Sequence, residues 1–177
     1  RCALRIYPVS VARRRDGQPV AGAVYNAAAG ELTAAALGEG ATLDGHPIRC
    51  SSAASLSEAL LITGFPYDRT LTLDRQLAVF TRLLRTVHGV RRDGSAAIDC
   101  CHVAAGRADG FWEFALKPWD TAAGVVVLRE AGAIVTDMFG SAWSPETTDH
   151  VAAGPLLHPV LLEAIAAASA EGWPPTA

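Results

Sequence analysis

The densest chemical signal in the chain is Lys117-Pro118-Trp119-Asp120-Thr121-Ala122-Ala123-Gly124. Pro118 disfavours helix for Lys117, which places Asp120 at or near a helix N-terminus. A carboxylate there can accept backbone N–H bonds as a cap. It could instead help to hold a divalent cation where strand gives way to helix. Mg²⁺ takes oxygen ligands, few of them from protein, and keeps waters for itself and a substrate phosphate. Ala122, Ala123 and Gly124 are small, which suits close packing or close approach of a ligand. The residue types leave these alternatives open.

Other polar residues read more plainly. Ser95, after Asp93-Gly94, can begin a helix. Glu113 sits between Trp112 and Phe114, so strand alternation puts it on the face opposite those aromatics, where it could simply be solvated. Asp137 with Gly140 reads as a turn, and Glu130 as structural in the last turn of its helix. Arg91-Arg92 could attract an anion, but a surface pair is ordinarily just solvated. His46, His88, His102, His150 and His158 share neither metal spacing nor an element.

Those residues need elements to hold them. Val9–Ala12, Pro19–Tyr25 and Glu31–Ala35 read as strands of an antiparallel meander, with Asp16-Gly17 as its first hairpin turn. A short strand around Ala41–Leu43 and a turn at Asp44-Gly45 follow. Leu60–Gly64 is a short apolar strand that ends in a Gly-Phe-Pro-Tyr loop. Asp74–His88 carries Leu77, Phe80, Leu83 and Leu84 at helical spacing. A second helix runs from Ser95 toward Gly106 and a third from Asp120 to Ala131, stopped by Gly132. Phe111–Phe114, Ala133–Thr136 and Val151–Ala153 are strands, and Leu157–Ala168 is a terminal helix. The fold class is therefore α/β: a meander followed by an α/β layer. Residues 1–58 form the antiparallel-sheet region, residues 59–171 the α/β region, and residues 172–177 a loose tail.

Composition narrows the partners. The 177 residues are 50% hydrophobic and 19% charged, enough for a real core and contrary to disorder. A formal charge of −3 leaves no positive excess for phosphate backbones, so no nucleic acid partner is expected. No apolar stretch reaches the ~20 residues of a membrane span, and no secretory signal shows at the N-terminus. Cys2, Cys50, Cys100 and Cys101 are too few and scattered for a disulfide framework, and reduced thiols point to a cytoplasmic protein. The chain begins Arg1-Cys2-Ala3 without an initiator Met, which suggests that its natural N-terminus lies further upstream.

Taken together, several segments resemble the inositol monophosphatase family. They are Gly94-Ser95-Ala96-Ala97, Ala104 through Glu113, Trp119-Asp120-Thr121-Ala122-Ala123-Gly124 and Glu130 through Asp137. Asp16 through Gly22 and Gly64 through Arg69 look like its bacterial members. The resemblance runs from about Val9 to Ile165. It implies the layered α+β sandwich of that family and a Mg²⁺-dependent phosphatase acting on small phosphate monoesters of a polyol or sugar, in which metal ions activate a water for in-line attack. It also implies that Asp120 binds metal close to the substrate. Gly94, Ser95 and Ala96 would contact the substrate at a helix start, and Glu113 would hydrogen-bond inositol hydroxyls. Homodimers are common in the family. The same scaffold also serves fructose bisphosphate, histidinol phosphate and nucleotide phosphates, and fold alone does not choose among them.

The departures matter as much. The family's Glu-Glu and Asp-Pro-x-Asp-Gly-Thr motifs, both sources of metal carboxylates, are absent from these residues. Ala133 stands where the family usually has a second Gly. Asp120 alone would hold Mg²⁺ poorly, because affinity grows with ligand number and charge. Three expectations follow: an incomplete phosphatase, a non-catalytic polyol- or phosphate-binding or assembly protein, or a remnant whose first sheet exposes an apolar face and an unpaired edge.

Overall fold

A computed structural model describes residues 6–66 and 72–170. The Arg1-Cys2-Ala3 start, Tyr67-Asp68-Arg69 and the expected tail over 172–177 lie outside the described residues. The first sheet is a meander of β1 (Pro8–Arg15), β2 (Gln18–Asn26), β3 (Glu31–Ala36), β4 (Gly40–Leu43) and β5 (His46–Pro47), paired antiparallel in that order. Asp16 and Gly17 both have positive φ, 51° and 80°, the backbone a two-residue hairpin with right-handed twist requires. Asp44 and Gly45 repeat it at 50° and 79°, and so fold back β5, a strand the sequence reading left out.

The second sheet is mixed. It comprises β6 (Leu60–Thr63), β7 (Gly89–Arg91), β8 (Gly110–Glu113), β9 (Ile134–Thr136) and β10 (His150–Ala153), in the order β7-β6-β8-β10-β9. β6 runs parallel to β7 and β8, while β10 runs antiparallel to β8 and β9. Helices α2 (Ala96–Ala104) and α3 (Pro118–Glu130) pack between the two sheets. Helices α1 (Leu73–Leu84) and α4 (Leu157–Ala170) pack together on the far side of the second sheet.

Strand alternation sorts the core. Ile62, Phe111 and Ala152 join Val103, Val125 and Leu128 on the α2–α3 side. Leu61, Trp112 and Val151 join Val79, Leu83, Leu157 and Leu161 on the α1–α4 side. With both faces covered, the strands read as continuous apolar runs rather than alternating ones. The small residues of α3 serve packing: a Cβ at Gly22 would overlap the Ala123 backbone, and one at Gly124 would overlap Cys100.

Helix α1 stops at Leu84, short of the expected His88. The Thr86 and Val87 N–H groups both turn back onto the Leu83 carbonyl, as does the Thr86 hydroxyl, and the chain then enters β7. Cys50, Cys100 and Cys101 are free thiols. On the outer face of the first sheet, Val9, Tyr25 and Leu32 stand directly opposite one another and are exposed, with Val11 beside them. Among the described strands, β1 pairs only with β2, leaving its other edge open. No helix among the described residues is long and apolar enough to cross a membrane.

Candidate ligand cleft

A cleft of about 880 Å³ opens at the C-terminal ends of the parallel strands β6 and β8, beside the first turns of α2 and α3. Gly94, Ser95, Ala96, Glu113 and Asp120 all line it, although 26 positions separate the first from the last. Strands that end together and helices that begin there converge at one rim of the sheet, a common place for ligands in α/β folds.

Glu113 is the most constrained of these residues. Alternation places it on the same side as Phe111, as its sequence neighbours imply, but that side faces α2 and α3 rather than water. Of the two alternatives for Glu113, the merely solvated one is excluded: the residue is only 8% exposed. The parallel register pairs Thr63 with Trp112, which brings Gly64 alongside Glu113. A Cβ at Gly64 would coincide with the Glu113 carboxyl group, so glycine there makes the room the carboxylate occupies. Burial pushes the Glu113 carboxyl up to about 7, the negative charge of Asp120 adds to the rise, and Arg92 opposes it. Arg92 also lines the cleft, whereas Arg91 lies on β7 and its guanidinium bonds the Val90 carbonyl.

Asp120 sits at the third position of α3, with Lys117 as the N-cap residue. Its Oδ2 accepts the Lys117 N–H at 2.9 Å, closing the first turn from within. The capping role is thus present, one turn later than a cap proper, and the half-buried carboxylate still borders the cleft. The chain reaches this turn through Ala115, whose φ of 57° is left-handed and whose N–H is held by Asp149 at 3.0 Å.

Gly94, with φ of 93°, bends the chain into α2. Ser95 begins α2 as its N-cap residue, as the helix-start reading has it, although its hydroxyl makes no capping bond. The first intrahelical bond in this turn runs from the Asp99 N–H to the Ser95 carbonyl, so the preceding N–H groups of α2, whose first residues line the cleft, have no intrahelical acceptor. One residue escaped the sequence reading. Asp99, in the first turn of α2, is fully buried and neither carboxylate oxygen has a hydrogen-bond partner. Burial pushes it up to about 8, with Glu113 and Asp93 adding to the rise. A lone carboxylate between Ile98 and Cys100-Cys101 was the available signal.

The other polar candidates lie elsewhere. Glu130 accepts the N–H groups of Gly38 and Gly40 at 3.0 and 2.9 Å, tying α3 to the first sheet. Asp137 accepts those of Phe139 and Ser141, both at 2.8 Å, forming a turn. His158 pairs with the Thr136 hydroxyl, and burial drives His150 down to about 4. Among the described residues no three His, Cys, Asp or Glu side chains cluster closely enough to hold a metal ion.

Residues 3–173 match the sequence model of the inositol monophosphatase family. The chain is 48% identical over 149 residues to an inositol-1-monophosphatase of Synechocystis sp., covering 84% of this chain and 52% of that protein. It is 41% identical over 161 residues to a putative Nus factor SuhB of Neisseria meningitidis, covering 91% of this chain and 62% of that protein. Among solved structures, an inositol monophosphatase from Anabaena (Nostoc) sp. superposes with a TM-score of 0.89 at 40% identity, covering 92% of this chain and 65% of that one. The chain thus spans between about half and two thirds of the length of these relatives.

Proposed function

This chain belongs to the inositol monophosphatase family, and we propose that its cleft binds a small phosphorylated polyol, with hydrolysis of the phosphate monoester as the reaction it serves. The observation that carries this reading is the Glu113 carboxylate, buried against Gly64 and turned into the cleft rather than into solvent. A largely buried carboxylate in that position accepts hydroxyl donors more strongly than an exposed one, because fewer waters compete for it. Two adjacent ring hydroxyls could engage its two oxygens. Gly94, Ser95 and Ala96 supply backbone N–H groups at a helix start, which suit a hydroxyl or anionic oxygen, and the uncommitted Ser95 hydroxyl adds a donor or acceptor.

Magnesium is the cofactor the family implies, and Asp120 is the carboxylate we assign toward it. The described residues do not fit the ion by themselves: Asp120 stands without a cluster of further ligands, and one of its oxygens already closes the first turn of α3. No chemical step is therefore derived through the metal. A second reading, a polyol- or phosphate-binding role without turnover, is favoured by the same capping bond. Several similar proteins carry the name Nus factor SuhB rather than a phosphatase name.

The two readings part on phosphate release from myo-inositol 1-phosphate by the folded chain. It is measured with Mg²⁺, with EDTA and for Asp120→Asn, after circular dichroism has verified folding. Turnover that needs both Mg²⁺ and Asp120 supports hydrolysis. Ligand binding without turnover supports the second reading, and a folded chain that neither binds nor turns over the ligand overturns both.

A further inference from the structure

We propose that Gln76 is a positioning residue for polyol recognition, setting the Glu113 carboxylate from behind the second sheet. The inference rests on the reading of Glu113 as the hydroxyl-binding group. Gln76 lies on α1, outside the cleft, and is completely buried. Its Nε2 donates to the Gly64 carbonyl at 2.7 Å and to the Thr63 hydroxyl at 2.8 Å. That hydroxyl donates in turn to the Trp112 carbonyl at 2.7 Å. The amide therefore grips both backbones that confine Glu113: Gly64, whose Cα abuts the carboxyl group, and Trp112, the residue immediately before it.

The surroundings argue against simple space filling. Gln76 shares the α1–α4 side of the sheet with Val79, Leu83 and Trp112. Its Oε1 has no hydrogen-bond partner. Burying an amide with one unpaired oxygen is unfavourable, and a methionine of similar shape would fill the space without that penalty. What methionine cannot do is hold the Gly64 peptide. Without that bond, the end of β6 can shift by a few tenths of an ångström, and Gly64 is the wall against which Glu113 is set. Positions matter at this scale, since hydrogen bonds to a carboxylate weaken steeply with misalignment.

The test compares Gln76→Met, Thr63→Val and Glu113→Gln with the unaltered chain. Three readouts are taken: the ¹³C resonance of the Glu113 side-chain carboxyl in ligand-free protein, the dissociation constant for myo-inositol 1-phosphate by titration, and the thermal midpoint. Gln76→Met should move the Glu113 resonance and weaken binding about fivefold to tenfold while the protein remains folded. Thr63→Val should do the same more weakly, and it carries the test if Gln76→Met does not fold. Glu113→Gln should weaken binding at least as much as either. If Gln76→Met and Thr63→Val leave the Glu113 resonance and the affinity unchanged while Glu113→Gln lowers affinity, the positioning role is overturned and the reading of Glu113 stands. If Glu113→Gln binds like the unaltered chain, or the unaltered chain does not bind, the reading of the cleft falls and the role of Gln76 falls with it.

Discussion

The two ends of β8 treat their carboxylates in opposite ways. Just ahead of the strand, Asp109 is fully engaged: one oxygen takes the Ser51 hydroxyl and the other the Leu60 N–H at 2.7 Å. That carboxylate sews the segment before β6 to the start of β8. Four residues later Glu113 is buried beside Gly64, and behind it Asp99 has no partner on either oxygen. A partnered carboxylate holds the fold together, while an unpartnered buried one is a standing penalty. For the carboxylates of β8 and the helix behind it, that penalty falls at the end where strands stop, helices begin and a cleft opens. A fully partnered carboxylate at one end of β8, and an unpartnered one behind the other, separate the supporting end of the strand from the recognising end.

The sharpest way to break this contrast is Asp109→Ala. The Ser51 hydroxyl and the Leu60 N–H would both lose their acceptor. The expected loss of unfolding free energy is about 2–3 kcal/mol, read from denaturant midpoints. Affinity for myo-inositol 1-phosphate should stay within about twofold, since a supporting residue at the far end moves nothing in the cleft. Unchanged stability, or a large loss of affinity, would show that the two ends are not divided in this way.

Asp99→Asn probes the other end. Its carboxyl is raised from 3.8 to about 8, so the folded protein binds a proton that the unfolded chain has released over that interval. Stability from this group is fully present below about pH 4 and is lost as pH rises toward 8. Glu113, raised to about 7, adds a decline of the same sign. His150, lowered to about 4, does the reverse: its contribution is present above about 6.5 and is lost on acidification. The His150 and Glu113 trends are common to both proteins and largely cancel in their difference. Asp99→Asn should therefore be more stable than the parent by on the order of 2 kcal/mol at pH 9, with the gap closing toward pH 4. Parallel stability curves would mean that Asp99 finds a partner when ionised.

Much of the scaffold is legible in the residues alone, and the reasons are local. Asp16-Gly17 and Asp44-Gly45 dictate their turns through backbone conformations that few other pairs adopt. Gly132, with φ of 89°, follows α3 as a helix stop should. The meander and four helices follow from such signals. The short strands β5 (His-Pro) and β7 (Gly-Val-Arg) carry no apolar run of their own, unlike the equally short β9 (Ile-Val-Thr), so only their neighbours reveal them. Within the cleft, the residues of α2, β8 and α3 were picked out through resemblance, and their convergence needs the sheet order. Alternation gives Glu113 its face, but whether that face is wet or covered stays open in the sequence, because no local pattern reveals that α2 and α3 cover it. Gln76 and Asp99 were invisible as a group for the same reason: each looks ordinary on its own helix, and only the packing sets them about one carboxylate.

The smallest expected effect returns to the supporting end. Arg107, two residues before Asp109, forms a bidentate pair with Glu31, both contacts 2.7 Å. Drawn side by side, this pair and the Asp109 bonds look equally strong. Solvent distinguishes them, because the Arg107 side chain is 43% exposed and Glu31 27% exposed. The Arg107 guanidinium, chiefly through its hydrogen bonds, holds the Glu31 carboxyl below its usual range. That contribution is present above the unfolded-state pKa and is lost as pH falls through the lowered value. Water and salt screen most of it at an exposed site. Glu31→Gln should therefore lower stability by only about 0.5 kcal/mol at neutral pH, and the difference should shrink as salt is raised to 1 M. A loss matching that of Asp109→Ala, or one insensitive to salt, would mean that geometry rather than burial decides what holds this end of the sheet.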